Sequence, residues 1–260
     1  MKYELNRNNF SFINIIKLST TIFKNNIYEI SFLTSLSFLA YSLLYIYLGD
    51  GTIESLMSIP IEIVILIYVL FLFSFLIPYP MLIHMVNNAI HNEKSSTKQL
   101  LKSLKKVFIK LIRGLLLLAF IIVATLFLIT ILVDIFYPST ILISILSISS
   151  LIIILKLFID YIFYFQSIIL HNSSPLVALK YSKKITKKNW WNIFYYYCSL
   201  SIIMFLLLNV LSLIITFLFP ILIVYSTILA FFQSLSFIFT QIFITVMFLE
   251  INHKNKFPLE

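Results

Sequence analysis

Six apolar stretches alternate with short polar connections along the 260 residues, at 27–48, 61–83, 111–133, 141–170, 193–219 and 221–249. Each is at least as long as the ~20 residues a helix needs to cross a hydrocarbon core. Pro60 stands where a helix starts well. Pro78 and Pro80 are expected to kink or end the far part of the second stretch. Pro220 alone marks the turn between the last two, which leaves room only for an antiparallel hairpin.

The polar connections carry a second period. Leu100, Leu101, Leu104, Val107, Phe108 and Leu111 recur at helical spacing, with Lys102, Lys105, Lys106 and Lys110 on the remaining circumference. Ser95, Ser96 or Thr97 can cap its start. Ser173-Ser174-Pro175 opens a further such helix with a capping serine and a proline at the first helical position. That helix carries Lys180, Lys183, Lys184, Lys187 and Lys188 and ends at Trp190 and Trp191, side chains that anchor at the membrane interface. The pattern predicts three basic amphipathic interfacial helices, at about 10–25, 96–110 and 174–188.

Two of these helices read as copies. Residues 16–26 set against 179–189 share Lys, Ser, Ile, Lys and Asn at five of eleven positions. The second block fits less well, pairing Lys102 with Lys17, Val107 with Ile22 and Phe108 with Phe23. The expected plan is an all-α integral membrane protein: six spans as three hairpins, each hairpin preceded by a basic surface helix, in a single membrane domain over 1–260.

Charge orients this plan. Eighteen of the nineteen Lys and Arg residues fall in four blocks: 2–24, 94–113, 180–188 and 254–256. The alternate connections hold Asp50, Glu54 and Asp134 and no basic residue. Basic loops stay cytoplasmic during insertion, so both termini are expected inside a bacterial inner membrane. Residues 1–26 show no secretory signal pattern, so the first apolar stretch is expected to remain as a span.

A chain 61% hydrophobic and 11% charged lies far from the ~25% charged average of soluble domains. The net charge of +9 is then explained by insertion and by anionic headgroups, with no nucleic-acid partner expected. The lone Cys198 excludes an internal disulfide and a cysteine metal cluster.

One candidate polar site lies inside the apolar stretches. Lys156 and Asp160, at i,i+4 spacing in the fourth span, share a helix face and can pair. Intramembrane charges cost ~2.5–3.5 kcal/mol on insertion scales and often mark a substrate path. The bland alternative slides the long span outward, bringing Asp160 to the inner surface and letting Lys156 snorkel. Glu29, Glu62, Asp134 and Glu250 lie near helix ends and read as solvated. His84, His91, Glu93 and His171 have no metal-ligand spacing, and no metal or cofactor is expected. Hydrolase, phosphate-loop and dinucleotide signatures are absent. The three glycines, Gly49, Gly51 and Gly114, form no small-residue packing motif, which leaves Ser144, Ser147 and Ser150 for close helix approach.

The run from Pro175 through Ala178-Leu179-Lys180 and Ser182, a basic stretch, and Asn189-Trp190 into an apolar span resembles a known pattern. It is similar to the membrane domain attached to some bacterial glycerophosphodiester phosphodiesterases and to related six-helix membrane proteins without a catalytic domain. The resemblance covers about 25 residues, 173–194, and departs from the family at Lys188, where glycine is common. In those enzymes a separate soluble domain carries catalysis. Such a domain is not expected within these 260 residues, and no catalytic residue carries over.

The expectation is therefore a non-enzymatic multi-pass membrane protein whose surface helices hold anionic lipid or a partner protein in envelope homeostasis. The alternative is the membrane subunit of a transporter, permease or self-immunity export system. It would have an ATPase partner, with Lys156 and Asp160 lining its path.

Overall fold

The computed structural model describes residues 11–48, 60–93, 96–136, 140–218 and 222–255, and these are helical nearly throughout. The expected outer connection at 49–59, the turn at Pro220 and the basic residues Lys2, Arg7, Lys94 and Lys256 lie outside the described residues. In chain order the helices are α1 (Phe12–Asn25), α2 (Ile27–Leu48), α3 (Ile61–Leu76), α4 (Pro78–Ile90) and α5 (Thr97–Phe136). They continue as α6 (Thr140–Asp160), α7 (Tyr164–His171), α8 (Pro175–Leu218) and α9 (Leu222–Asn255).

Among the described residues, four stretches are long and apolar enough to cross a membrane: Thr97–Val133, Ser144–His171, Pro175–Leu218 and Val224–His253. The protein thus has the helical character of a multi-pass membrane protein.

Three local features shape these helices. Pro78 and Pro80 at the start of α4 separate it from α3 at Ile77, because a proline cannot donate into the preceding turn. No proline or glycine marks the second break, at Tyr161–Phe163, where bonding tightens from i→i−4 to i→i−3: Ile162 donates to the Ile159 carbonyl and Tyr164 to that of Tyr161. The third feature is a continuity. The second and third surface helices continue into the apolar segments that follow them, in α5 without a break and in α8 across a kink at Asn189. Only α1 is a separate helix, ended by Asn26.

The chain divides into two compact units, Met1–Lys106 with Tyr195–Glu260, and Val107–Phe194. In the first, α9 is the central helix, packed against α1, α2 and α4, while α3 packs on α2 and α4. Ring contacts set an antiparallel register: Phe12 with Phe243, Phe23 with Phe239 and Phe38 with Phe231, at 5.8, 5.9 and 6.4 Å. The apolar window of α9 is 61% buried by protein, against 0%, 17% and 11% for the other three candidate spans. Lipid offers no hydrophobic drive for helices to associate, so close van der Waals contact has to hold such a centre together. Buried small polar residues serve that contact: Thr34 on α2 and Ser234 and Thr245 on α9 each donate back to a carbonyl of their own helix.

In the second unit the buried residues gather in three segments: Val107, Leu111 and Gly114 of α5; Ile159 to Ile169 around α7; and Ala178, Ile185 and Ile193 of α8. Tyr164 Oη donates to the Gly114 carbonyl at 3.2 Å. A Cβ on Gly114 would stand 2.7 Å from Ile168 Cδ1. Close approach therefore falls to Gly114, whereas Ser144 and Ser147, expected in that role, are exposed. Beyond Gly114 the α5 helix is exposed along most of its length, as is α6 up to Phe158.

Candidate functional site

The basic faces are laid out as amphipathic helices require. Lys17 and Lys24 of α1 are exposed while Ile15, Ser19 and Ile22 are buried. Along the first part of α5, Lys98, Lys102, Lys105 and Lys106 are exposed while Leu100 and Val107 are buried. Along the first part of α8, Lys180, Lys183, Lys184, Lys187 and Lys188 are exposed, and Ala178, Leu179, Ser182 and Ile185 are buried. Lys110 is half-buried and has a structural task. Its Nζ donates to both the carbonyl and Oδ1 of Asn172, at 2.6 and 2.8 Å, closing the end of α7. A cation there also complements the helix dipole.

The structure carries the repeat further than the sequence pairing does. The three helices begin after serines at equivalent N-cap positions, Ser11, Ser96 and Ser174, the first two of which cap with their side chains. Ser11 Oγ accepts from the Asn14 N–H, and Ser96 and Gln99 bond each other reciprocally, as in a capping box. Six residues on stand Lys17, Lys102 and Lys180, all exposed. The buried set Ile15, Ser19, Ile22, Ile30, Leu33 and Ser37 recurs residue for residue as Ala178, Ser182, Ile185, Ile193, Tyr196 and Leu200.

The bend recurs as well. Asn26, which ends α1, has φ −118° and ψ 35°, and its counterpart Asn189, inside α8, has φ −127° and ψ 23°. Leu111, at that place in the second copy, stays helical. Asparagine tolerates such local departures because its amide bonds nearby backbone. Asn26 Nδ2 does so, donating to the Ile22 carbonyl at 2.8 Å. The return segments repeat too, since α4 and α7 both run out in His-Asn, with Asn92 and Asn172 left-handed at φ 59° and 51°.

Just past the bend, Trp190 stacks on Phe194 at 5.5 Å and is half-buried, while Trp191 is 74% exposed. Tyr28, the counterpart of Trp191 in the first copy, is 86% exposed. These are amphipathic side chains at the place where a surface helix meets an apolar one.

Lys156 and Asp160 occupy different surroundings. Lys156 is exposed on α6, four residues from its end. Asp160 is the last residue of that helix and is buried, and no ion pair joins the two. The break that follows releases the Asp160 carbonyl from helical bonding, and Ser182 Oγ donates to it at 2.8 Å. Ser182 is thus a residue of the repeat that also closes the broken helix.

Elsewhere, His91 and Glu93 are exposed, and the His171 ring packs edge-on against Tyr181 at 5.2 Å. His84 is half-buried, its Nε2 is buried and unpartnered, and burial, with the charge of Lys106 second, holds its imidazole below the ordinary range. Glu62 is exposed, as expected, but Glu250 is only 7% exposed with Oε2 unpartnered. Its place at a helix end gave no sequence signal of burial, which comes from the packing of α9 against α1, α2 and α4. Among the described residues no group of three His, Cys, Asp or Glu side chains could hold a metal ion.

No family model, curated protein or solved structure matches this chain.

Proposed function

We propose that this is a non-enzymatic protein of a bacterial inner membrane that crosses the bilayer six times with both termini in the cytoplasm. Its basic surface helices hold anionic phospholipid headgroups, as part of envelope homeostasis. The observation that carries the reading is the set of exposed lysines on α1 and on the first parts of α5 and α8. Each row of lysines leads directly into an apolar helix. Such segments beside a span gain about 1 kcal/mol per Lys or Arg from an anionic leaflet.

The spans of the proposal are 27–48, 61–83, 111–133, 141–160, 193–218 and 222–249. Shortening the fourth to the α6 helix, 21 residues and about 31 Å long, matches a hydrocarbon core of ~30 Å. Lys156 then lies about 6 Å from the inner boundary, within reach of the headgroups by snorkelling. This favours the lipid-holding reading over a transport path, which needs Lys156 turned toward a partner inside the protein. The likeness to membrane domains of the glycerophosphodiester phosphodiesterase type agrees with a membrane module lacking its own catalytic centre.

The test uses the full chain in nanodiscs of phosphatidylcholine doped with fluorescent phosphatidylglycerol or fluorescent phosphatidylcholine, read by energy transfer from the protein's tryptophans. Enrichment of the anionic lipid that fades as salt is raised is the expected result. Equal transfer from the two lipids at low salt would defeat the reading.

A further inference from the structure

The two bent copies of the repeat share more than their buried face. Counted from the N-cap serine, both carry an exposed lysine at the sixth residue (Lys17, Lys180) and another at the thirteenth (Lys24, Lys187). Both place asparagine at the fifteenth residue, in the same non-helical conformation (Asn26, Asn189), and an exposed aromatic at the seventeenth (Tyr28, Trp191).

A seven-residue step brings a helix back to within about 20° of the same face and advances it by about 10 Å. The paired lysines therefore form a row along one side of the surface helix. The bend turns the chain from that helix into the apolar segment, and the aromatic lies two residues beyond it, where an amphipathic ring sits at headgroup level.

Lys183 and Lys184 of the second bent copy align in sequence with Thr20 and Thr21 of the first. The repeat thus separates lysines common to both bent copies from lysines present in one copy alone. The unbent second copy keeps Lys102 but has Ile109 at the thirteenth residue, Leu111 at the bend and Arg113 at the seventeenth. It lacks the arrangement where it lacks the asparagine.

We propose that residues 11–28 and 174–191 are two copies of one binding site for an anionic phospholipid headgroup. In each, the lysine row engages the phosphate from the protein side, and Tyr28 or Trp191 packs at the level of the glycerol backbone. The inference rests on the lipid-holding reading and adds to it that charge alone does not suffice: register decides. One occupied site is expected in each bent copy.

The experiment is native mass spectrometry of the full chain released from micelles titrated with phosphatidylglycerol. Lys180→Gln with Lys187→Gln is compared with Lys183→Gln with Lys184→Gln, which removes the same charge from the same helix. The wild type is expected to retain two phosphatidylglycerol molecules more tightly than any further ones. The 180/187 variant should lose one of them with a fall in affinity of about tenfold or more, while the 183/184 variant keeps both within about twofold.

Lys17→Gln with Lys24→Gln should remove the other, and combining it with the 180/187 changes should remove both. Equal losses in the 180/187 and 183/184 variants would overturn the two-site inference while leaving general anionic binding intact. Absence of any preference for phosphatidylglycerol over phosphatidylcholine would overturn both. Displacement of the bound lipid by inorganic phosphate would assign the sites to a soluble anion and likewise overturn the proposal. Circular dichroism and micelle retention times, expected unchanged, show that each variant is folded.

Discussion

Ser19 and Ser182 stand at the same place in the repeat and are both fully buried, yet the structure gives them different hydrogen bonding. Ser182 Oγ donates at 2.8 Å to the Asp160 carbonyl, while Ser19 Oγ is unpartnered. Ser182→Ala therefore removes a buried hydrogen bond and strands a buried backbone carbonyl, a loss of about 1–3 kcal/mol. Ser19→Ala removes a hydroxyl that is desolvated without compensation. Its effect is expected between zero and about 1 kcal/mol of stabilisation.

The two substitutions delete the same atom from the same repeat position, and they should still differ by about 1–4 kcal/mol. For a chain of this size that corresponds to a separation of about 2–16 °C in midpoint. Thermal unfolding in a fixed detergent, followed by circular dichroism at the helix band, measures it. Equal midpoints for the two variants, or an unshifted Ser182→Ala, would refute the claim that Ser182 closes the break after Asp160.

The remaining expectations are these. Gly114→Ala should gain about 1 kcal/mol of helix propensity but lose about 1–3 kcal/mol to the clash with Ile168 Cδ1, 2.7 Å from the new Cβ. Adding Ile168→Val deletes the clashing atom, so the double variant should be more stable than the sum of the singles, and strict additivity in unfolding midpoints would contradict this contact. Asn92→Ala should cost about 1 kcal/mol and Asn92→Gly nothing, because φ is 59°; equal midpoints for the two would argue against a left-handed residue there. Burial lowers the pKa of His84 below its ordinary value, with Lys106 adding to it. The unfolded chain then binds the extra proton first, so His84 contributes a loss of stability that sets in as pH falls through about 6.5 and a plateau above it. His84→Asn should flatten that part of the pH–stability profile, and an unaltered profile would contradict the assignment.

Much of the helical layout was legible because it rests on periodicities. The helix α2 begins and ends where the first apolar run does, and α1 follows the amphipathic pattern of residues 10–25. The break at Ile77 follows from Pro78. The break after Asp160 was not legible, because its residues, Tyr161, Ile162 and Phe163, are compatible with a helix. The turn depends on Ser182, far along the chain, accepting responsibility for a released carbonyl. The same tertiary dependence separated Lys156 from Asp160. Spacing placed them one turn apart, but the helix ends between an exposed surface and a buried one. Gly114 was passed over for want of a second small residue, although its partners, Tyr164 and Ile168, lie on a different helix. The repeat was readable as five shared letters; its bend was not, since an asparagine at a helix interior and one at a helix end look alike in sequence.

The central claim is that the basic blocks and the apolar stretches define a six-span protein with its surface helices inside the cell. Single cysteines placed at Lys24, Glu54 and Lys187, in a Cys198→Ser background, test it most directly with a membrane-impermeant maleimide. Intact spheroplasts should label Glu54→Cys alone, and Lys24→Cys and Lys187→Cys should label only after the membrane is opened. Labelling of Lys187→Cys in intact spheroplasts, or protection of Glu54→Cys there, would contradict the account.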